Sequence, residues 1–162
     1  METFREALIT EPGKIILHEV EKKTPGSGEV MIKVVSSAIC GSDMHLYSGR
    51  HPYAKLPTTV GHELAGVIEE IGADVTKFKV GDRVCVEPLI ACGHCYYCQR
   101  GRYDYCETLR LKYRSGSSGY ADYYYAEERW VHLLPDGISF DEGALMEPLA
   151  CTVHAAMKAR IQ

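Results

Sequence analysis

The sequence predicts a mainly β protein with short helices, and a β-rich barrel or sandwich fits it better than a doubly wound sheet. Short segments rich in valine and isoleucine alternate with turn-forming residues along most of the chain. Helical patterns begin only after Gly137, so strands and helices do not alternate as a doubly wound sheet requires. The sequence also has no dinucleotide-binding glycine fingerprint, because the only Gly-x-Gly pair, Gly26 and Gly28, is followed by Met31 where the third glycine would stand.

Each predicted strand is a short run of apolar or β-branched residues bounded by turn formers. In the second of them, Val30, Ile32 and Val34 fall on one face, as expected for a strand with one side against a core. A Pro/Gly-rich turn at residues 24–28 separates it from the strand before it. The predicted strands are Lys14–Val20, Glu29–Ser36, His62–Ile71, Arg83–Glu87, Tyr120–Ala126 and Trp130–Leu134.

Two helices are predicted in the last part of the chain, residues 139–162. Ser139 and Glu142 have the spacing of a capping box, which starts the first helix. Pro148 interrupts the pattern, and the second helix is expected over Leu149–Arg160 with Pro148 at its first position.

Composition and charge limit the classes of protein and partner. A chain of 162 residues with 46% hydrophobic and 25% charged residues is typical of one globular domain, here residues 1–162. The net charge is -4 and no lysine/arginine run exceeds two residues, so neither nucleic acid nor a membrane surface is an expected partner. No stretch approaches the roughly 20 apolar residues that cross a bilayer. The N-terminus lacks a signal peptide's apolar segment, so a cytoplasmic location with reduced cysteines is expected.

Four cysteines lie within fifteen residues in a segment that has no hydrophobic periodicity, the predicted lobe of residues 88–112. They are Cys92, Cys95, Cys98 and Cys106. Zinc prefers four soft ligands in a tetrahedron, and a site closed by four thiolates has a structural role. Two disulfides, a redox pair or unrelated cysteines are the alternatives, and the close spacing favours zinc. A nucleic-acid-binding zinc ribbon is a weaker alternative, because acidic residues separate the few arginines nearby.

Other candidate metal ligands lie in short clusters along the chain. Taken singly, each cluster is weak evidence for a metal site. A single cysteine is often a core residue, and Cys85 and Cys151 suit that plain interpretation. The clusters are Cys40–His45, Gly61–Glu63 and Met146–Ala150, with a turn at Gly81–Val84 between the last two.

Together with the four-cysteine lobe, these clusters resemble, in order and spacing, the N-terminal GroES-like catalytic domain of the zinc-dependent medium-chain dehydrogenase/reductase family. The resemblance covers essentially the whole chain and implies a GroES-like, partly open β-barrel with a zinc-binding lobe. The glutamate directly before Pro148 resembles the pattern of the sorbitol (polyol) dehydrogenase branch. In the alcohol dehydrogenase branch, a cysteine is common at that position. Glucose, threonine, butanediol and inositol-type dehydrogenases lie near that branch.

The same resemblance implies two zinc ions, one structural and one catalytic. The catalytic zinc would be held by Cys40, His62 and Glu147, with water or a substrate oxygen in the fourth position. It would act as a Lewis acid that lowers the pKa of a substrate hydroxyl, so that the substrate can release hydride.

Neighbouring residues take supporting roles by the same resemblance. Asp43 would hydrogen-bond the zinc histidine and orient its ring. Glu63 would be a carboxylate next to the ligand set, or a transient ligand. Ser42 and His45 would relay a proton to solvent, although a plain surface position explains His45 as well.

The family's hydride acceptor is NAD or NADP, held by a Rossmann domain that has no counterpart in this sequence. The chain is therefore expected to be the N-terminal part of a longer dehydrogenase that acts on a small alcohol, polyol or sugar as a homodimer or homotetramer. On this view, the 162 residues alone are inactive. The alternative is a stand-alone, non-catalytic, zinc-binding GroES-like module, which would leave no apolar face exposed near Leu149–Ile161.

Overall fold

A computed structural model describes residues 2–111 and 118–160 of the chain. The last residue of the predicted lobe and the last two of the predicted helical segment lie outside the described residues. Within the described ranges the strands are β1 (Thr3–Glu11), β2 (Lys14–Glu21), β3 (Glu29–Ala38), β4 (Thr58–Thr59), β5 (Glu63–Ile71), β6 (Arg83–Val86), β7 (Leu89–Ile90), β8 (Arg110–Leu111), β9 (Tyr123–Glu127) and β10 (Val131–Leu133). The helices are α1 (Gly41–Tyr47), α2 (Phe140–Ala144) and α3 (Met146–Ala159).

Two antiparallel sheets form the body of the protein. One has the order β2-β1-β4 and the other the order β10-β6-β5-β3-β9, while β7 and β8 pair separately at the two ends of the predicted lobe. The segment before β9 joins the two sheets, because Ala7 N–H donates to the carbonyl of Tyr120 at 2.8 Å and Val34 N–H donates to that of Asp122 at 3.0 Å. The mainly β, partly open architecture predicted from the sequence is therefore confirmed.

The main core lies inside the curled five-stranded sheet. It consists of Val30, Ile32, Leu64, Ile68, Val84, Val86, Tyr124, Ala126 and Val131. The other face of β5 is also covered, because Ala65 packs with Leu134 and Ala144. Burial on both faces explains the continuous apolar start of β5, which does not alternate as the edge strands do.

The N-terminal and helical segments differ in three places from the sequence-based expectations. β1 was not predicted, because its alternation is hidden by Glu6, a charged residue that is buried in the fold. The short helix α1 was not predicted either, since seven residues give too little periodicity. α3 starts at Met146, so Pro148 is its third residue; the first-turn N–H groups have no partner within the helix, and a proline is tolerated there.

The predicted capping box is present in α2. The N–H of Ser139 donates to Glu142 Oε2 at 2.8 Å, and the N–H of Glu142 donates to the Ser139 hydroxyl at 3.2 Å. None of the helices in the described part of the chain is both long and apolar enough to cross a bilayer.

Gly66 of β5 lies directly against the backbone of β3. A Cβ atom there would lie 2.1 Å from the carbonyl oxygen of Lys33 and 2.8 Å from Ile32 Cγ2. We expect Gly66→Ala to destabilise the protein by about 1–3 kcal/mol or more, because backbone cannot move aside without breaking the ladder. Denaturant unfolding measures this. Gly28→Ala is the matched control, since a Cβ at Gly28 meets nothing within 4 Å, and an equal loss in both variants would contradict the explanation.

Candidate metal centres

The four cysteines of the lobe converge on one point. The Sγ atoms of Cys92, Cys95, Cys98 and Cys106 all lie within 4.8 Å of one another. The Sγ atoms of Cys92 and Cys98 are 3.9 Å apart, and all four cysteines are free thiols. A zinc ion with Zn–S distances of about 2.3 Å gives sulfur–sulfur edges of about 3.8 Å, whereas a disulfide needs about 2.05 Å. The spacing thus fits a tetrahedral metal site and excludes disulfides among these four.

Backbone N–H groups point at the sulfurs and favour their ionised form. Cys92 N–H donates to Cys106 Sγ at 3.3 Å, and this contact lowers the pKa of the Cys106 thiol to about 6. Backbone N–H groups of Cys98 and Glu107 lower the pKa of the Cys95 thiol. Desolvation raises the pKa of the Cys98 thiol to about 12, and the other three thiols add to that rise. Four thiolates this close need a cation to be ionised together.

The lobe has almost no apolar core of its own. Its aromatic side chains lie partly exposed and stack with arginines, Arg100 over the Tyr96 ring at 3.7 Å and Arg102 over the Tyr105 ring at 4.3 Å. Exposed stacking of this kind contributes about 0.5–1 kcal/mol per pair, far less than the roughly 10 kcal/mol available from structural zinc. These contacts alone give residues 92–106 little stabilisation, and the four converging thiols could hold a metal ion that would supply more.

The second cluster is built by the pairing of β3 with β5. The antiparallel register places Ala38, the last residue of β3, opposite Glu63, the first residue of β5. Cys40 follows β3 and His62 precedes β5, so the two strand ends carry potential ligands to the same place. Ligand atoms of Cys40, His62 and Glu63 lie within 4.8 Å of one another.

The ionisable side chains in and around this cluster are buried. His62 and Glu63 are 5% exposed and Asp43 is 4% exposed. In the described residues, neither Asp43 nor Glu63 forms an ion pair with a lysine or arginine. Buried carboxylates without a cation are costly. A thiolate, an imidazole and a carboxylate are a donor set that zinc accepts, and two of them carry the charge that balances the ion.

Asp43 links the elements around the cluster. Its Oδ2 accepts hydrogen bonds from the Cys40 N–H at 3.0 Å and from the Tyr120 hydroxyl at 2.7 Å. Its Oδ1 lies 3.6 Å from His62 Nδ1. Asp43 thus lies beside His62, as expected of a residue that orients the histidine ring. Tyr120 was not singled out from the sequence, because a tyrosine at the start of a predicted strand does not indicate that its hydroxyl forms a hydrogen bond at a functional site.

Glu147 lies beside the cluster but outside it. It is the second residue of α3, half-buried, and its carboxylate is not among the atoms that converge with those of Cys40 and His62. Burial raises the pKa of the Glu147 carboxyl, His62 opposes the rise and Glu63 adds to it, so the three side chains interact electrostatically. The structure thus brings Glu63 closer to Cys40 and His62 than Glu147, the carboxylate that the sequence favoured as the ligand.

The two proposed relay residues lie on α1. Ser42 is half-buried next to Cys40, and His45 is exposed one helical turn later. Residues three apart in a helix share a face, so Ser42 and His45 lie on the same side of α1.

The fold and both clusters define a zinc-binding domain of the dehydrogenase type. The family model described as "Alcohol dehydrogenase GroES-like domain" matches residues 26–136. The chain belongs to this family, as the sequence motifs predicted.

Individual relatives agree with this assignment. The chain is 41% identical over 150 residues to a sorbitol dehydrogenase of Halalkalibacterium halodurans, which covers 92% of this chain and 43% of the relative. A solved alcohol dehydrogenase (RspB) of Escherichia coli in complex with NADH superposes with a TM-score of 0.90 at 32% identity, over 99% of this chain and 47% of that one. Galactitol-1-phosphate dehydrogenase of Escherichia coli superposes with a TM-score of 0.85 at 29% identity, over 96% and 45%. The chain spans less than half the length of these proteins.

We expect Cys98→Ser to remove about one zinc per chain and to open residues 92–106 to proteolysis, because the lobe has no core to replace the metal. Elemental analysis and limited proteolysis measure these effects. Cys151→Ser is the control, since Cys151 is exposed and lies outside the four-thiol group. A Cys98→Ser protein that keeps its full zinc content and its protease resistance would show that the lobe is held in another way.

Proposed function

We propose that this chain is the zinc-binding catalytic part of an NAD- or NADP-dependent alcohol or polyol dehydrogenase of the sorbitol type. The observation that carries the proposal is the buried convergence of Cys40, His62 and Glu63 at the ends of β3 and β5. A purely structural zinc would be closed by four ligands, whereas three protein ligands leave one position for a substrate oxygen.

The residues of the second cluster and its neighbours would have different roles. Cys40 and His62 would hold the zinc together with Glu63, and Glu147 would stand next to the open position as a second carboxylate. Zinc, when bound, supplies a Lewis acid that makes an alcohol proton easier to remove. Asp43 would keep the His62 ring turned towards the metal by facing its Nδ1.

Ser42 and His45 would carry the proton from the substrate hydroxyl to solvent. Ser42 is half-buried two residues after Cys40, and His45 is exposed. Imidazole is the side-chain group most often used to transfer protons in enzymes.

The relatives support a class of substrate and a class of hydride acceptor. The sorbitol and galactitol-phosphate dehydrogenases support a small polyol as substrate, and the NADH complex supports a nicotinamide cofactor. We place the cofactor site in a segment outside this sequence, and we expect a homodimer or homotetramer. The seven free cysteines suit the reducing cytoplasm.

A stand-alone, non-catalytic module is disfavoured by the surface of α3. Leu149, Val153 and Met157 are 52%, 47% and 74% exposed along one side of that helix. A soluble module that works alone would bury or lack such an apolar stripe.

Two glutamate variants separate the alternative ligand sets. If Glu63 is the third ligand, Glu63→Gln lowers the zinc content from about two to about one per chain, while Glu147→Gln keeps about two. Elemental analysis after gel filtration gives the count. The opposite result would identify Glu147 as the ligand. If neither variant loses zinc, neither glutamate is a zinc ligand.

The open coordination position can be tested on the chain itself. With Co²⁺ in place of the Cys40 zinc, imidazole at millimolar concentration should shift the visible absorption bands, because a neutral nitrogen ligand takes the free position. The four-thiolate site is the internal control, since a closed site has no position to offer. Unchanged bands would indicate a closed second site and would favour the non-catalytic module over the dehydrogenase.

A further inference from the structure

Tyr120 touches the segments that carry the ligand residues of the buried cluster. It precedes β9 and reaches the end of β3, the first turn of α1 and the residue before His62. Its hydroxyl lies 3.0 Å from the carbonyl oxygen of Ala38, two residues before Cys40, and 2.7 Å from Asp43 Oδ2. One side chain therefore contacts both strand ends and the helix between them.

The hydroxyl determines which oxygen of Asp43 faces the histidine. A phenol has one proton to donate, and the charged carboxylate at 2.7 Å is the stronger of its two acceptors. The Cys40 N–H binds the same oxygen, Oδ2, at 3.0 Å. With Oδ2 bound twice, Oδ1 is the oxygen directed at His62 Nδ1.

The ring of Tyr120 acts on the backbone in front of His62. Gly61 has a φ of +95°, and a Cβ there would lie 2.6 Å from Tyr120 Cδ1. The N–H of Gly119 donates to the carbonyl of Gly61 at 2.8 Å. Ring and backbone thus hold the chain in a left-handed turn that only glycine adopts readily, and His62 and Glu63 leave that turn towards Cys40.

We propose that Tyr120 is a positioning residue for the metal site, acting through Asp43 on His62, and this proposal rests on the zinc site proposed above. Burial raises the pKa of the Tyr120 hydroxyl, and the hydrogen bond to Asp43 adds to the rise, so the group stays protonated and remains a donor. Loss of the hydroxyl frees Asp43 Oδ2 to turn, and the imidazole loses its fixed orientation. Changes to groups that orient a ligand histidine typically weaken metal binding by about 10- to 100-fold.

The test is Tyr120→Phe, which removes the hydroxyl but keeps the ring against Gly61. Competition with a chelator should show one zinc released at about 10- to 100-fold lower chelator concentration, while the four-cysteine zinc is unchanged. The Co²⁺ bands of the Cys40 site should also shift, since the histidine changes orientation. Tyr123→Phe is the matched control, because its hydroxyl donates to a carboxylate, Glu69, at 3.0 Å without any contact to the cluster.

A double-mutant cycle separates positioning from general loss of stability. If Tyr120 acts through Asp43, Tyr120→Phe should have little further effect on metal affinity in an Asp43→Ala background, which has no side-chain acceptor for the hydroxyl. Additive effects, or equal effects of Tyr120→Phe and Tyr123→Phe, would overturn the proposal. If the wild-type chain binds only one metal ion, the proposed catalytic site itself is wrong. If wild type and Tyr120→Phe bind two ions with equal affinity, only the positioning role of Tyr120 is wrong.

Discussion

The register between β3 and β5 is the constraint on which the buried cluster depends. Cys40 and Glu63 are far apart in sequence and meet only because Ala38 pairs with Glu63. A slip of one residue would turn every side chain of a strand to its other face. Irregularities in the ladder between Met31 and Ile32 and between Val34 and Ser36 set this register. Gly66 allows the second of them, since any side chain there would collide with the backbone of β3.

The two metal centres therefore depend on the fold in opposite ways. The four-cysteine lobe is local in sequence, and its cysteines lie on turns with little core, so a bound metal ion would supply its folding energy. The Cys40–His62–Glu63 cluster is assembled by strands that are stable through their own core, which contains Val30, Ile32 and Leu64. There the sheet places the side chains first, and a bound cation would offset the cost of burying their charges.

Most of the sheet could be predicted from the sequence because apolar alternation and turn residues identify strands that have one buried face. β1 was missed because Glu6 is buried beside His18, at 3.2 Å, and a buried charge hides the pattern. α1 was missed because its N-cap is Cys40, and a cysteine is not a usual N-cap signal. The four-cysteine site was visible because its ligands are close in sequence.

The second site was harder to specify in detail. Motif order points to the residues, but only the fold tells which carboxylate converges with Cys40 and His62. Adjacent residues such as His62 and Glu63 would point to opposite faces in a regular strand. Their ligand atoms nevertheless lie within 4.8 Å of each other, because His62 stands before β5 begins and strand alternation does not apply to it. The contribution of Tyr120 was invisible for a related reason, since it depends on contacts with residues far away in sequence.

The place of Glu147 depends on a different part of the fold. Cys40, His62 and Glu63 are held by the sheet, whereas Glu147 is carried by α3, none of whose described residues is buried. The helix presents Leu149, Val153 and Met157 to solvent on one side and Glu147 towards the cluster at its start. Anything that buried the apolar side would restrain the helix and, with it, the distance from the Glu147 carboxylate to the metal. Sheet and helix thus divide the site into a rigid ligand set and a carboxylate whose approach depends on how firmly α3 is packed.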